Sequence, residues 1–149
     1  MDLAAACDIR LAAADTKISL RETKIAIVAD LGSLQRLPGI IGDGLTRELA
    51  FTGRDVDAAR ALSIGLVNSV HPDVNALHEA ASAMAQEIAQ NAPLTVRGVK
   101  KVLDFGRSGR IQDGLDYVAA FNSAFLASED LGEAMAAFLE KRAPSFQGR

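Results

Sequence analysis

The sequence predicts an α/β chain that is predominantly helical, with two or three short strands near its start and helices in series after them. Three observations predict it. Alanine is abundant, while aromatics make up only 5% of the 149 residues and tryptophan is absent; such a composition suits closely packed helices. Apolar residues recur at helical spacing in several stretches beyond position 45. Before that, short apolar runs are bounded by turn-forming residues, the pattern of short buried strands.

Taken in order, residues 2–8 read as a short Ala-rich helical piece, and residues 9–13 as a short buried strand closed by Ala14-Asp15-Thr16. A second apolar piece, residues 25–29, ends at the break Asp30-Leu31-Gly32-Ser33. Pro38-Gly39 and Gly42-Asp43-Gly44 then punctuate the chain, glycine permitting positive φ in turns. From Leu45 the pattern is helical, stopped by Thr52-Gly53-Arg54. Asp55 or Asp57 can cap a helix over residues 58–64, which Gly65 terminates. Residues 66–70 look like a short strand. Four further helical stripes follow, through residues 77–89, 96–103, 111–126 and 131–141. Such stripes mostly build an intramolecular core, and several in series in a small chain suggest that some face a partner subunit.

Composition narrows the function. Apolar residues at 49% and charged residues at 23% fit a globular protein rather than a disordered one. The net charge of −3 gives no electrostatic reason to expect nucleic acid or a polybasic membrane anchor. No run of about 18 apolar residues suggests a membrane span. A single cysteine excludes an intrachain disulfide and a Cys-rich zinc site. With no Arg-rich leader and no secretory pattern, the expected compartment is the cytosol.

Three carboxylates stand beside small or apolar residues: Asp2, Glu22 and Asp30. Desolvated carboxylates can have raised pKa values, which suits proton transfer near neutral pH, and two of them across a substrate could remove one proton and return another. The same residues also read as an N-cap, an ion-pair partner of Arg21 or Lys24, and a turn residue, and spacing does not choose between these readings. Other groups carry less. His71 and His78 are expected to be solvated and lack neighbours at ligand spacing, so no metal site is expected. Ser33 follows Gly32 without a G-x-S-x-G elbow. Gly42 and Gly44 lack the Lys-Ser or Lys-Thr of a phosphate loop. Cys7 is expected to be a buried small residue. Lys141 and Arg142 could neutralise a phosphate.

Several segments together resemble the enoyl-CoA hydratase/isomerase, or crotonase, superfamily. They are AAACDIR at residues 4–10, residues 20–27, Gln35-Arg36-Leu37-Pro38, Thr52-Gly53-Arg54, the A-x-x-A-L-x-I-G-L-V-N run of residues 58–68, and Phe138-x-Glu140-Lys141-Arg142. The resemblance runs the length of the chain. Where hydratases carry Pro-Gly-x-Gly-Gly-Thr, this chain has Ala29-Asp30-Leu31-Gly32-Ser33-Leu34-Gln35-Arg36-Leu37-Pro38. That pattern is similar to the Δ3,5-Δ2,4-dienoyl-CoA isomerases, as is Asp2 where hydratases have Glu.

The resemblance implies an α/β fold, the C-terminal part of a ClpP-like spiral of βαβ turns over residues 1–70, followed by a helical oligomerisation region over residues 71–149. It implies that Glu22 and Asp30 exchange protons with a 3,5-dienoyl-CoA while Asp2 orients or tunes Glu22. Leu31, Gly32 and Lys141 are the implied substrate-binding residues. The substrate is then an acyl-CoA thioester and no separate cofactor is needed, coenzyme A being part of the substrate. Assembly as a homotrimer or hexamer is implied, with neither nucleic acid nor membrane as partner. An enoyl-CoA hydratase of fatty-acid degradation is the alternative enzyme, with Asp2 and Glu22 gripping one water. Family members are nearly twice as long, so the chain reads as a C-terminal half whose oxyanion donors lie upstream. Removing one such donor costs about 10²–10³ in rate, so impaired activity is expected, and an inactive fragment serving only as an oligomerisation partner is the non-enzymatic alternative.

Overall fold

The computed structural model describes residues 1–107 and 109–149, and all their side chains except that of Phe125. The chain divides into two compact units, Met1–Ser82 and Ala83–Arg149. Eight α-helices and four strands are found among the described residues.

The first unit begins with α1 (Asp2–Ala6) and β1 (Leu11–Ala13), followed by β2 (Lys17–Ile18) and a 3₁₀ turn, Glu22–Ile25. Next come α2 (Ser33–Ile41), α3 (Asp43–Thr52), β3 (Val56–Asp57), α4 (Ala58–Ser63) and β4 (Ser69–His71). β1 and β4 pair in parallel, Leu11 opposite Ser69 and Ala13 opposite His71. A parallel pair requires a crossover, and the helices between the two strands supply it. Arg10 extends the seam: its N–H donates to Asn68 Oδ1 at 2.9 Å, and its Nε donates to the Leu66 carbonyl at 2.7 Å. β2 and β3 form a second, antiparallel pair, Lys17 opposite Asp57.

Burial follows the helical period. On α2 the buried residues are Ser33, Leu37 and Ile41, four apart on one face. Leu37 and Ile41 join Leu20, Leu49, Val56, Ala61 and Leu66 in the core. Asp57 caps α4, its Oδ1 accepting from the Arg60 N–H at 2.7 Å, as one of the two expected caps. Gly53 ends α3 in the left-handed region at φ 54°, where a side chain would be strained.

Local expectations fail in four places. Residues 25–29 form no strand: they run from the end of the 3₁₀ turn into an irregular stretch, with Ile25, Ile27 and Val28 exposed and only Ala29 buried. Pro38-Gly39 does not break the chain but lies inside α2, where the buried stripe overrides a propensity penalty of about 3 kcal/mol. Cys7 is exposed, just past the end of α1 with its thiol donating to the Leu3 carbonyl. His71 is half-buried at the end of β4, 2.9 Å from Ser69 Oγ.

Helix α5 (Val74–Ala89) carries the chain out of the first unit. The second unit then holds α6 (Pro93–Gly106), α7 (Ile111–Phe125) and α8 (Glu129–Glu140). Gly98 is buried where α6 meets α7, and a Cβ there would stand 2.5 Å from the Phe121 ring. Gly98→Ala is therefore expected to destabilise the protein by about 1–3 kcal/mol, the usual cost of overpacking; an unshifted thermal melt would show that the ring gives way freely.

The C-terminal segment folds back onto α8. Asp130, nearly fully buried, accepts from the backbone N–H groups of Gln147 at 2.7 Å and Gly148 at 2.9 Å. Glu133 receives the Arg142 guanidinium in two bonds and the Ser145 N–H at 2.7 Å. Phe146 from this segment lines an apolar groove of about 430 Å³ together with Leu94, Val102, Val118, Phe121 and Leu131. The Arg142 and Ser145 donors lower the Glu133 carboxyl from 4.5 to about 2. Its folded pKa lies below its unfolded one, so the latch is fully in place above about pH 4.5 and is lost as pH falls toward about 2. Hydrogen-exchange protection of the Ser145 amide, corrected for intrinsic rates, should fall over that window; constant protection would place its anchor elsewhere.

Candidate active site

Each expected carboxylate has its own local origin. Leu20, almost fully buried, anchors the chain, and the Arg21 guanidinium grips both oxygens of Asp55 at 2.5 and 2.7 Å. Arg21 is thus committed to Asp55 rather than to Glu22. Glu22 opens the 3₁₀ turn, which packs on α3, and Thr23 Oγ1 donates to the Ala50 carbonyl at 2.5 Å. The turn ends on Ala26 at φ 60°, a left-handed conformation that costs a non-glycine residue about 1–2 kcal/mol. The Glu22 side chain is half-buried, and its Oε2 is buried with no hydrogen-bond partner among the described residues. An acceptor left unpaired in this way costs about 1–3 kcal/mol.

Asp30 is exposed in the irregular stretch that leads into α2, and Leu31 beside it is 71% exposed. Gly32 takes the N-cap position of α2 at φ 97°, and Arg36 reaches back from α2 to donate to the Leu31 carbonyl at 3.0 Å. A Cβ on Gly32 would collide with the Arg36 guanidinium. The left-handed φ is what favours glycine here, since the Arg36 side chain could swing aside.

Asp2 opens α1, which packs on α2. Its Oδ1 accepts from Ser33 Oγ at 2.5 Å. That bond holds the Asp2 carboxyl below the usual carboxylate range, against the upward push of burial. The expectation of a raised pKa is therefore reversed at Asp2, because a donor reaches it from a segment 31 residues away.

The structure thus ties Asp2 to Ser33, immediately after the Asp30-Leu31-Gly32 bend, and sets Glu22 on the neighbouring surface turn. No hydrogen bond joins Glu22 Oε2 to either aspartate among the described residues. Lys141 belongs to the second unit, exposed and left-handed at φ 54° where α8 ends. Ser33 escaped the sequence reading, which weighed it only as a nucleophile. The signal for it was a hydroxyl directly after the Gly of an A-D-x-G-S run that enters a helix. Among the described residues no group of three or more His, Cys, Asp or Glu side chains could hold a metal ion, and no helix is long and apolar enough to cross a membrane.

Comparison with known proteins places this geometry. The profile of one family, Enoyl-CoA hydratase/isomerase, matches residues 1–149. The mitochondrial Delta(3,5)-Delta(2,4)-dienoyl-CoA isomerase of Dictyostelium discoideum is 48% identical over 147 residues, covering 99% of this chain and 50% of that protein. The peroxisomal enzyme of the same name from Arabidopsis thaliana is 44% identical over 146 residues, covering 98% and 52%. The solved enoyl-CoA hydratase of Bacillus anthracis superposes with a TM-score of 0.94 at 38% identity, over 97% of this chain and 56% of that one. The chain spans about half the length of the curated relatives it matches. These names also overturn the cytosolic expectation, since the similar isomerases are mitochondrial or peroxisomal. Compartment is set by short address signals, and a folded core's composition does not encode it.

Proposed function

Because the chain belongs to the enoyl-CoA hydratase/isomerase family, we propose that it moves both double bonds of a 3,5-dienoyl-CoA into the 2,4 position by carboxylate-mediated proton transfer. The observation that carries this reading is the buried Oε2 of Glu22, an acceptor with no donor partner among the described residues. Asp30, in the Ala29-Asp30-Leu31-Gly32-Ser33 bend that resembles the dienoyl isomerases, supplies the second carboxylate.

The chemistry balances without a cofactor. One group, as the carboxylate, takes a proton from C2, and the C–H electron pair delocalises into the thioester as a trienolate. The other, entering as the neutral carboxylic acid, gives its proton to C6, the far end, which draws the double bonds into C2=C3 and C4=C5, and proton exchange with solvent restores both groups. Glu22 and Asp30 divide these two steps, and Asp2 takes a positioning role. Leu31 and Gly32 shape the acyl site at the bend. The second unit exposes Ile111, Met135, Phe138 and Leu139. We assign these apolar side chains to contacts between copies of the chain in a homotrimer or hexamer.

The structural likeness to the Bacillus anthracis hydratase favours a second reading, addition of water to an enoyl-CoA by Asp2 and Glu22. Incubation of the purified protein with a 3,5-dienoyl-CoA tests the proposal, because conjugation with the thioester creates a new long-wavelength absorbance band. Catalytic growth of the band supports isomerisation. A folded protein that produces no band, but consumes a 2-enoyl-CoA by hydration, would establish the second reading. Inactivity on both would leave an oligomerisation role.

A further inference from the structure

Resting on this acid–base reading, we infer that Ser33 is a positioning residue: its hydroxyl and the head of α2 fix the Asp2 carboxylate in place, which leaves proton transfer to Glu22 and Asp30. Ser33 is wholly buried, and its Oγ donates to Asp2 Oδ1 at 2.5 Å. A hydroxyl has one proton to donate, and Asp2 receives it. Ser33 is also the first residue of α2, whose N-cap Gly32 has no side chain to cap the helix. The Asp2 carboxylate, brought in from α1, is therefore bonded to the side chain of the first residue of α2, at the positive end of that helix.

The nearby backbone N–H groups of Ser33 and of Asp2 itself favour the charged carboxylate in the same sense. The charged groups around it are few. The Met1 amino group, on its own element, also favours the carboxylate, while Arg36 of α2 is turned to the Leu31 carbonyl. To accept a proton, Asp2 must surrender bonds that favour its charged form, which makes it a poor shuttle. Glu22 Oε2 has no such bond to surrender.

Three variants test this: Ser33→Ala, Ser33→Thr and Asp2→Asn. Kinetics are read on a 3,5-dienoyl-CoA, and the Asp2 carboxyl is followed by ¹³C NMR as pH is varied. Ser33→Ala is expected to lower kcat by about tenfold or more with KM within about twofold, the mark of an interaction used in the transition state. It should also raise the Asp2 titration midpoint toward the ordinary carboxylate value. Ser33→Thr, which keeps the hydroxyl, should restore both. Asp2→Asn still offers Ser33 an acceptor but cannot carry a proton, and should lose only about tenfold, against about 10² or more for Glu22→Gln.

A Ser33→Ala protein in which Asp2 titrates unchanged overturns the inference, as does an Asp2→Asn protein as inactive as Glu22→Gln. Should Ser33→Ala fail to fold, the comparison of Asp2→Asn with Glu22→Gln decides alone. A wild-type protein inert toward the dienoyl thioester sinks the isomerase reading instead, and the Asp2 titration then still decides whether Ser33 holds Asp2.

Discussion

Asp30→Asn is expected to lower kcat for isomerisation of a 3,5-dienoyl-CoA by about 10²–10⁴, the range that a positioned acid–base group contributes. The amide keeps the size of the carboxylate and removes its ability to carry a proton. Asp30 is exposed in an irregular segment, so the substitution disturbs no packing. Under the second reading proposed above, hydration of a 2-enoyl-CoA would draw on Asp2 and Glu22 and would need no acid at position 30. The ratio of isomerisation to hydration should therefore collapse in Asp30→Asn. Glu22→Gln should depress both reactions together and leave that ratio much less changed. Absorbance of the conjugated product and water addition, measured side by side on the same preparations, give the ratio directly. Equal loss of both activities in a folded Asp30→Asn protein would remove Asp30 from the proton path.

Leu37→Ala carries the largest expected effect on stability. Leu37 is completely buried at the centre of the α2 stripe, between Ser33 and Ile41. Truncating a buried leucine costs about 2–5 kcal/mol, from lost transfer free energy plus the cavity left behind. For a unit of this size the midpoint of thermal unfolding should fall by about 10 °C or more. Leu3→Ala, at a residue 82% exposed, provides the contrast and should stay within about 0.5 kcal/mol. A Leu37→Ala melt no lower than that of Leu3→Ala would show that the α2 stripe contributes little. Ser33 lies on the same stripe as Leu37, so the packing that stabilises the unit also seats the donor for Asp2.

The helical character of the chain was legible in its spacing, and so were several boundaries. Gly53 and Gly65 fall in the left-handed region where a stop was expected, and Asp57 caps α4. What failed was whatever depends on distant partners. β2 and β3 have two residues each, too few for an alternation to register, and they exist because Lys17 meets Asp57. Pro38 looked like punctuation because local propensity is blind to the burial of Leu37 and Ile41 on either side. The carboxylates were visible as residue types, but their spacing left a cap, an ion pair and a turn equally open. Their proposed chemistry became readable through resemblance, and only the structure shows Arg21 committed to Asp55 and Asp2 held by Ser33.

The parallel seam between β1 and β4 also bears on how the first unit comes together in time. Leu11 and Ser69 are neighbours across the ladder, and Arg10 meets Asn68 across a separation of 58 residues. Closing a loop of that length costs about 3–4 kcal/mol of chain entropy before the first ladder bond forms. The helices inside the loop meet no such barrier, since helix formation takes about a microsecond or less. Refolding of this unit is therefore expected to be paced by long-range closures such as this one, in which a pair of three-residue strands must meet before the helices between them can settle.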